Sequence, residues 1–366
     1  MRIKALLLLA QLLTFAFCSF AQNAATQHFE SGLSLAQNNN FPLAIVEFSR
    51  AIALDPNYIE AYFQRGLARE ANRNFAGSIL DLTKVIELQP TNADAYFSRG
   101  HARMTMGDSD GAVEDFSKTI ELDPQHAKAF YFRGMIRGYR LDSVGEMDDY
   151  AKALALDPKF EDAYYARGMA RDSKDDATGA LQDFTNALKA NPNSKQALFA
   201  RAHLRQRLGD YIEAIADLTV LIKLAPADSD SYVRRAFARK AKHDFIGAIA
   251  DFTKVIELDP RNPQIARFYE NRADTKKMNR DYRGAAVDYT KALALRPDAD
   301  GYFQLGMMQF NDRDFTGAIA SFSKVLAIRP NDGSIYRERA FAYRRLNNIK
   351  RARADEKRAA KYYGLR

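Results

Sequence analysis

The sequence predicts an all-α protein, an α-solenoid of ten stacked two-helix units, and three observations carry that reading. Prolines fall at 56, 90, 124, 158, 192, 226 and 260, each 34 residues after the last, and Pro297 and Pro330 follow at spacings of 37 and 33. Self-similarity at a fixed period of this length marks units that stack on their neighbours. Within each period, two stretches place apolar or small residues at i, i+3 and i+4, the spacing of one helix face. Between them stands an Asp or Asn in every period: Asn40, Asn74, Asp108, Asp142, Asp176, Asp210, Asp244, Asp281, Asp314 and Asn348. Such a residue suits the N-cap of a second helix.

The units follow when the periodic proline is counted as position 32. They run 25–58, 59–92, 93–126, 127–160, 161–194, 195–228, 229–262, 266–298, 299–332 and 333–366, with Pro263 to Ile265 inserted before the eighth. In the third unit the first helix groups Tyr96, Arg99, Gly100 and Arg103, and the second groups Ala112, Phe116 and Thr119. Position 8 is Gly or Ala throughout, which lets the paired helix approach closely. The Asp-Pro of ELDP ends the second helix, because proline disfavours helical backbone in the residue before it. Glu146 stands at position 20 of the fourth unit, where most units have Ala, and predicts poorer packing there.

This pattern resembles the tetratricopeptide repeat, with an aromatic at position 4, a small residue at 8, Ala at 20, an aromatic at 24 and Pro at 32. The departures are Arg where the family has Leu at position 7, and no Trp at position 4. The resemblance implies a right-handed superhelix of helix-turn-helix repeats. It also implies that the first helices line a concave face into which positions 2, 5, 9 and 12 point.

Position 7 is Arg65, Arg99, Arg133, Arg167, Arg201, Arg235, Arg272 and Arg339, and position 23 of the same units is Asp81, Asp115, Asp149, Asp183, Asp217, Asp251, Asp288 and Asp355. In the ninth unit both change together, to Leu305 and Ser321. The covariation within one chain predicts an ion pair joining the two helices of each unit, with the guanidinium gripping the carboxylate bidentately. An unpaired buried charge is strongly destabilising, so loss of one partner favours loss of the other.

The two ends differ from the body. Met1 to Ala21 has a short basic start, an apolar run and small residues before Gln22. This is the pattern of a signal peptide, so residues 1–21 are expected to be removed. The apolar run is too short for a membrane span. The expected location is across the inner membrane of a bacterium, periplasmic or extracellular. Cleavage would remove Cys18, the chain's one cysteine, leaving no disulfide and no cysteine-based metal site. The net charge of +8 is concentrated at residues 333–366, which hold eleven Lys/Arg against three Asp/Glu. The body is near neutral, so no nucleic-acid partner is expected.

No chemistry stands out. Five histidines are scattered, none in a metal-ligand spacing, and there is no Gly-rich phosphate loop. No enzyme activity, cofactor, metal or small-molecule substrate is expected. What remains is the concave surface. Its candidate partner-binding groove comprises Phe63, Phe97, Tyr131, Tyr165 and Phe199 at position 5 and His101, Met135, Met169, His203 and Phe237 at position 9. Aromatic and methionine side chains offer large, adaptable contact area for a protein or peptide. The row is expected to end at the eighth unit, where Glu270 and Asp274 replace the apolar pair. The function expected is therefore a non-enzymatic interaction scaffold or adaptor. The alternative is binding of an anionic envelope polymer or lipid through the last unit, where Lys350, Arg351, Arg353, Lys357 and Arg358 cluster and Glu356 replaces the core aromatic. That unit is also expected to act as a polar capping repeat.

Overall fold

The computed structural model describes residues 22–362, and the expected signal segment, 1–21, lies outside them. The described residues form twenty α-helices and no strand, from a helix over 22–37, through pairs such as Ala93–Thr105 with Ser109–Leu122, to Ile349–Tyr362. The chain divides into two compact units, one ending at Ala190 and the other beginning at Asn191. The first holds the helices of repeats one to five, and the second those of repeats six to ten.

Each repeat turns between its helices through one left-handed residue directly before the cap. Asn39, Arg73, Gly107, Leu141, Asp175, Gly209, His243, Arg280, Arg313 and Asn347 all have φ between 58° and 86°. The cap then closes onto the second helix: Gly111 N–H donates to Asp108 Oδ1 at 3.0 Å and Gly179 N–H to Asp176 Oδ1 at 2.9 Å. Glycine at this third helical residue is what permits the close approach. A Cβ on Gly111 would lie 2.4 Å from Asp108 Oδ2. Where Leu43 stands instead, the bond stretches to 3.5 Å, and with Arg351 it is 3.2 Å. Asp210, facing Glu213, makes no side-chain cap bond. The expectation of a capping side chain in every repeat is corrected at that one position.

The core lies between the paired helices. Phe48, Phe116, Phe184, Phe252 and Phe322 at position 24 are fully buried, as is the alanine at position 20 (Ala44, Ala112, Ala180, Ala214, Ala248, Ala285, Ala318). Position 8 is small because the ring at 24 packs directly on it: a Cβ on Gly168 would meet Phe184 at 2.7 Å. Repeat four accommodates Glu146 by placing a residue without a side chain opposite it. Gly138 faces it, and a Cβ there would come within 2.4 Å of Glu146 Oε1. Lys174 of the next repeat reaches the same carboxylate at 3.4 Å. Packing inside the repeat is therefore compensated, while the helix Ser143–Leu156 meets the first helix of the next repeat more sparsely than the corresponding helices of other repeats do.

Candidate functional site

The arginines at position 7 sit against the aspartates at position 23 in all eight repeats that have both. Nε lies 2.7–3.0 Å from Oδ2 and Nη2 2.7–2.9 Å from Oδ1. The aspartates are at most 4% exposed. Except in repeat six, where position 4 is Leu198, the guanidinium carbon also lies over the position 4 ring, 5.6 Å from the centre of Tyr96 for Arg99. Its remaining nitrogen reaches the preceding repeat, as in Arg99 Nη1 to Thr83 Oγ1 at 3.1 Å and Arg133 Nη1 to Ser117 Oγ at 3.1 Å.

Sequence reasoning missed a third member. Arg69, Arg103, Arg137, Arg171, Arg205 and Arg239 at position 11 bring Nη1 to within 2.6–2.9 Å of the same Oδ2, and Lys276 does so at 2.8 Å. The signal was present, because position 11 is basic in repeats two to eight and becomes Gln309 in repeat nine together with Leu305 and Ser321. There the charged triad is replaced by a neutral bond, Ser321 Oγ to Gln309 Oε1 at 2.6 Å. In repeat one the acid Glu47 is held instead by His28 at 2.6 Å and Arg50 at 2.5 Å. These arginines are engaged inside the protein and form its framework.

On the first helices of repeats two to five, Phe63, Phe97, Tyr131, Tyr165 and Met135 are half-buried, and Met169 is 44% exposed. Three of the rings lean one edge on the core beneath: Phe97 lies 5.8 Å from Phe116, Tyr131 6.1 Å from Tyr150 and Tyr165 6.1 Å from Phe184. Neighbouring rings pave the space between repeats, with Phe97 against Phe132 at 5.9 Å and Tyr131 against Phe160 at 5.0 Å. Of the predicted row, Phe97, His101 and Tyr131 line a pocket of about 730 Å³ together with Leu67, Phe132, Phe160, Glu70, Arg73, Lys128 and Asp162, and Phe63, Met135, Tyr165 and Met169 lie outside that lining. His101 Nδ1 lies 2.6 Å from Glu70 Oε1, which fixes its ring as one wall. Burial pushes the Tyr131 hydroxyl up to about 12. Burial also raises the Asp162 carboxyl, with Glu161 adding to the effect.

The second unit carries a smaller pocket of about 380 Å³ lined by His203, Gln206, Tyr211, Arg234 and Phe237. Arg234 lies 4.5 Å over Phe199, and Phe237 is 43% exposed. In repeat eight the surface turns polar. Glu270 accepts two bonds from Arg296, at 2.8 and 3.0 Å, and Asp274 accepts from the Tyr289 hydroxyl at 2.6 Å.

Family descriptions of the tetratricopeptide repeat match residues 32–72, 93–126, 165–229 and 270–333, together more than half of the chain. The chain belongs to the tetratricopeptide repeat family. Among solved structures it is similar to the C-terminal part of a TPR repeat-containing protein of Cytophaga hutchinsonii, at 19% identity and TM-score 0.56 over 66% of this chain and 99% of that one. It is similar also to pilF of Pseudomonas aeruginosa, at 19% identity and TM-score 0.50 over 57% of this chain and 96% of that one. A third is YrrB, described as a TPR protein with an unusual peptide-binding site, at 21% identity and TM-score 0.45 over 51% of this chain and 96% of that one. The first two likenesses speak to the fold alone. No curated protein matches the chain.

Proposed function

We propose that the chain is a non-enzymatic scaffold or adaptor, exported to a periplasmic or extracellular compartment, that holds an apolar segment of another protein on the concave side of repeats two to five. The observation that carries this reading is the pocket floored by Phe97, Tyr131, Phe132 and Phe160, where aromatic surface stays open to solvent between helices whose own cores are closed. Clustered open apolar surface of this kind marks interaction sites. Selection of peptides from a displayed random library against residues 22–366, followed by calorimetry, tests it. Selected peptides are expected to be rich in aromatic and aliphatic residues, and to lose at least about tenfold in affinity (about 1.4 kcal/mol) on Tyr131→Ser with Met169→Ser. Binding unchanged by that pair, with the fold intact, would overturn the reading.

One feature favours a second reading, in which the helix Ile349–Tyr362 binds an anionic envelope polymer or lipid. Its Lys350, Arg353 and Lys357 are exposed and have no acidic partner among the described residues, while Ala352, Asp355 and Ala359 form its buried face. Association with anionic vesicles that weakens with salt and vanishes when these three are neutralised supports that reading. Indifference to the vesicles removes it.

A further inference from the structure

The turn of repeat four departs from those beside it, and we propose that it anchors a partner segment in which basic residues flank apolar ones. The proposal rests on the groove reading above and adds where the partner engages and with what chemistry. Tyr139, Leu141 and Val144 stand 83%, 88% and 75% exposed within six residues of chain. Leu141 occupies the left-handed position, φ 63°, where the other repeats of this unit carry Asn39, Arg73, Gly107 and Asp175. A leucine there brings its Cβ against the following carbonyl, a conformation that Asn and Gly tolerate and Leu does not favour. It buries nothing in return. Neither backbone preference nor core packing accounts for it.

The patch is continuous with the groove. Tyr131, Met135 and Tyr139 follow one another at i, i+4 and i+8 on the helix Ala127–Tyr139, so they share a face that runs from the pocket to the turn. Val144 opens the next helix, Ser143–Leu156.

Charge identifies the occupant. Asp148, one helical turn beyond Val144, and Asp175, at the matching turn of the next repeat, stand exposed with no cation partner among the described residues, whereas Asp110, Asp142 and Asp176 already face Arg140, Arg137 and Arg171. The two nearest cations are taken, Arg140 by Asp110 and Lys174 by Glu146. Residues 22–190 as a whole hold 18 Lys/Arg against 25 Asp/Glu, a net charge of −7 that the chain's total of +8 conceals. An apolar segment bearing Lys or Arg is complementary to this rim. A second copy docked patch to patch would set one acidic rim against another.

The test uses a fluorescently labelled synthetic amphipathic peptide of Leu and Lys, and its twin with Glu in place of Lys, titrated onto the chain and onto Leu141→Asn and Val144→Ser variants. The Leu/Lys peptide should bind the parent chain, lose about tenfold or more in affinity on either variant, and outcompete the Glu twin. Leu141→Asn should at the same time raise the melting temperature by about 2–4 °C, because Asn accepts the left-handed backbone more readily. That combination separates loss of an anchor from loss of fold. Absence of binding, equal binding of the twin, or affinity unchanged in both variants overturns the proposal. So does concentration-dependent self-association in sedimentation that Leu141→Asn abolishes, which would make a second copy the occupant. If Tyr131→Ser with Met169→Ser weakens the peptide and the turn variants do not, the anchor is refuted and the groove reading stands. If neither set weakens it, both fall.

Discussion

Arg167 and Asp183 hold each other through two parallel hydrogen bonds, Nε to Oδ2 at 2.9 Å and Nη2 to Oδ1 at 2.7 Å, and Arg171 Nη1 reaches the same Oδ2 at 2.8 Å. Asp183 is fully buried. Removing it strands two cations, so Asp183→Ser should destabilise by about 3–5 kcal/mol. Adding Arg167→Leu alone should recover only part of this, because Arg171 keeps only its weaker contacts, to Asp176 at 3.7 Å and to the Gly179 carbonyl at 3.2 Å. The triple change with Arg171→Gln reproduces Leu305, Gln309 and Ser321 of repeat nine and should recover most of it. Chemical denaturation of the four proteins checks this, and simple addition of the single effects would show that the three residues act independently.

A second prediction concerns repeat two. Ser78 takes the position that is alanine in most repeats, and its buried hydroxyl has no hydrogen-bond partner among the described residues. An unsatisfied buried hydroxyl is a cost that alanine avoids. Ser78→Ala should stabilise the protein by about 1 kcal/mol, read as a higher denaturation midpoint. A destabilised variant would mean that the hydroxyl is satisfied after all.

Tyr131 predicts an alkaline effect with a definite sign. Its hydroxyl is pushed up to about 12, chiefly by burial and then by the nearby Asp162. Below pH 10 both folded and unfolded chains keep the proton, and the group adds no pH dependence. Between pH 10 and 12 the unfolded chain releases it first, so stability falls as pH rises through that window. The loss should be about 1–2 kcal/mol, discounted for the solvent that reaches the ring's open side. Tyr131→Phe should flatten that part of the stability–pH curve, and an unchanged slope would remove Tyr131 as the cause.

The repeat, the two helices of each unit and the pairing of position 7 with position 23 were legible because each is written many times in one chain. A covarying exception, Leu305 with Ser321, is informative only against eight copies of the rule. What stayed hidden has physical reasons. The second cation at position 11 lies on the same helix face as the first, and a face alone does not say that one carboxylate takes both. Whether Asp210 caps depends on whether the backbone can close onto it, which Glu213 opposes and glycine elsewhere allows. Glu146 reads as a defect until Gly138 is seen opposite. The groove rings proved double-sided, one edge on Phe116, Tyr150 or Phe184 and the other open, and periodicity alone cannot divide a ring between core and surface.

The most direct test of the central claim, that the concave side of the first unit holds another protein, is site-specific photo-crosslinking in the living cell. A photoreactive amino acid replaces Met169, whose exposure of 44% leaves room for it, and in a control replaces Gln182, exposed on the second helix of the same repeat. The account predicts a discrete crosslinked protein partner from position 169 and none from position 182. No adduct from position 169, or the same adducts from both positions, would contradict it.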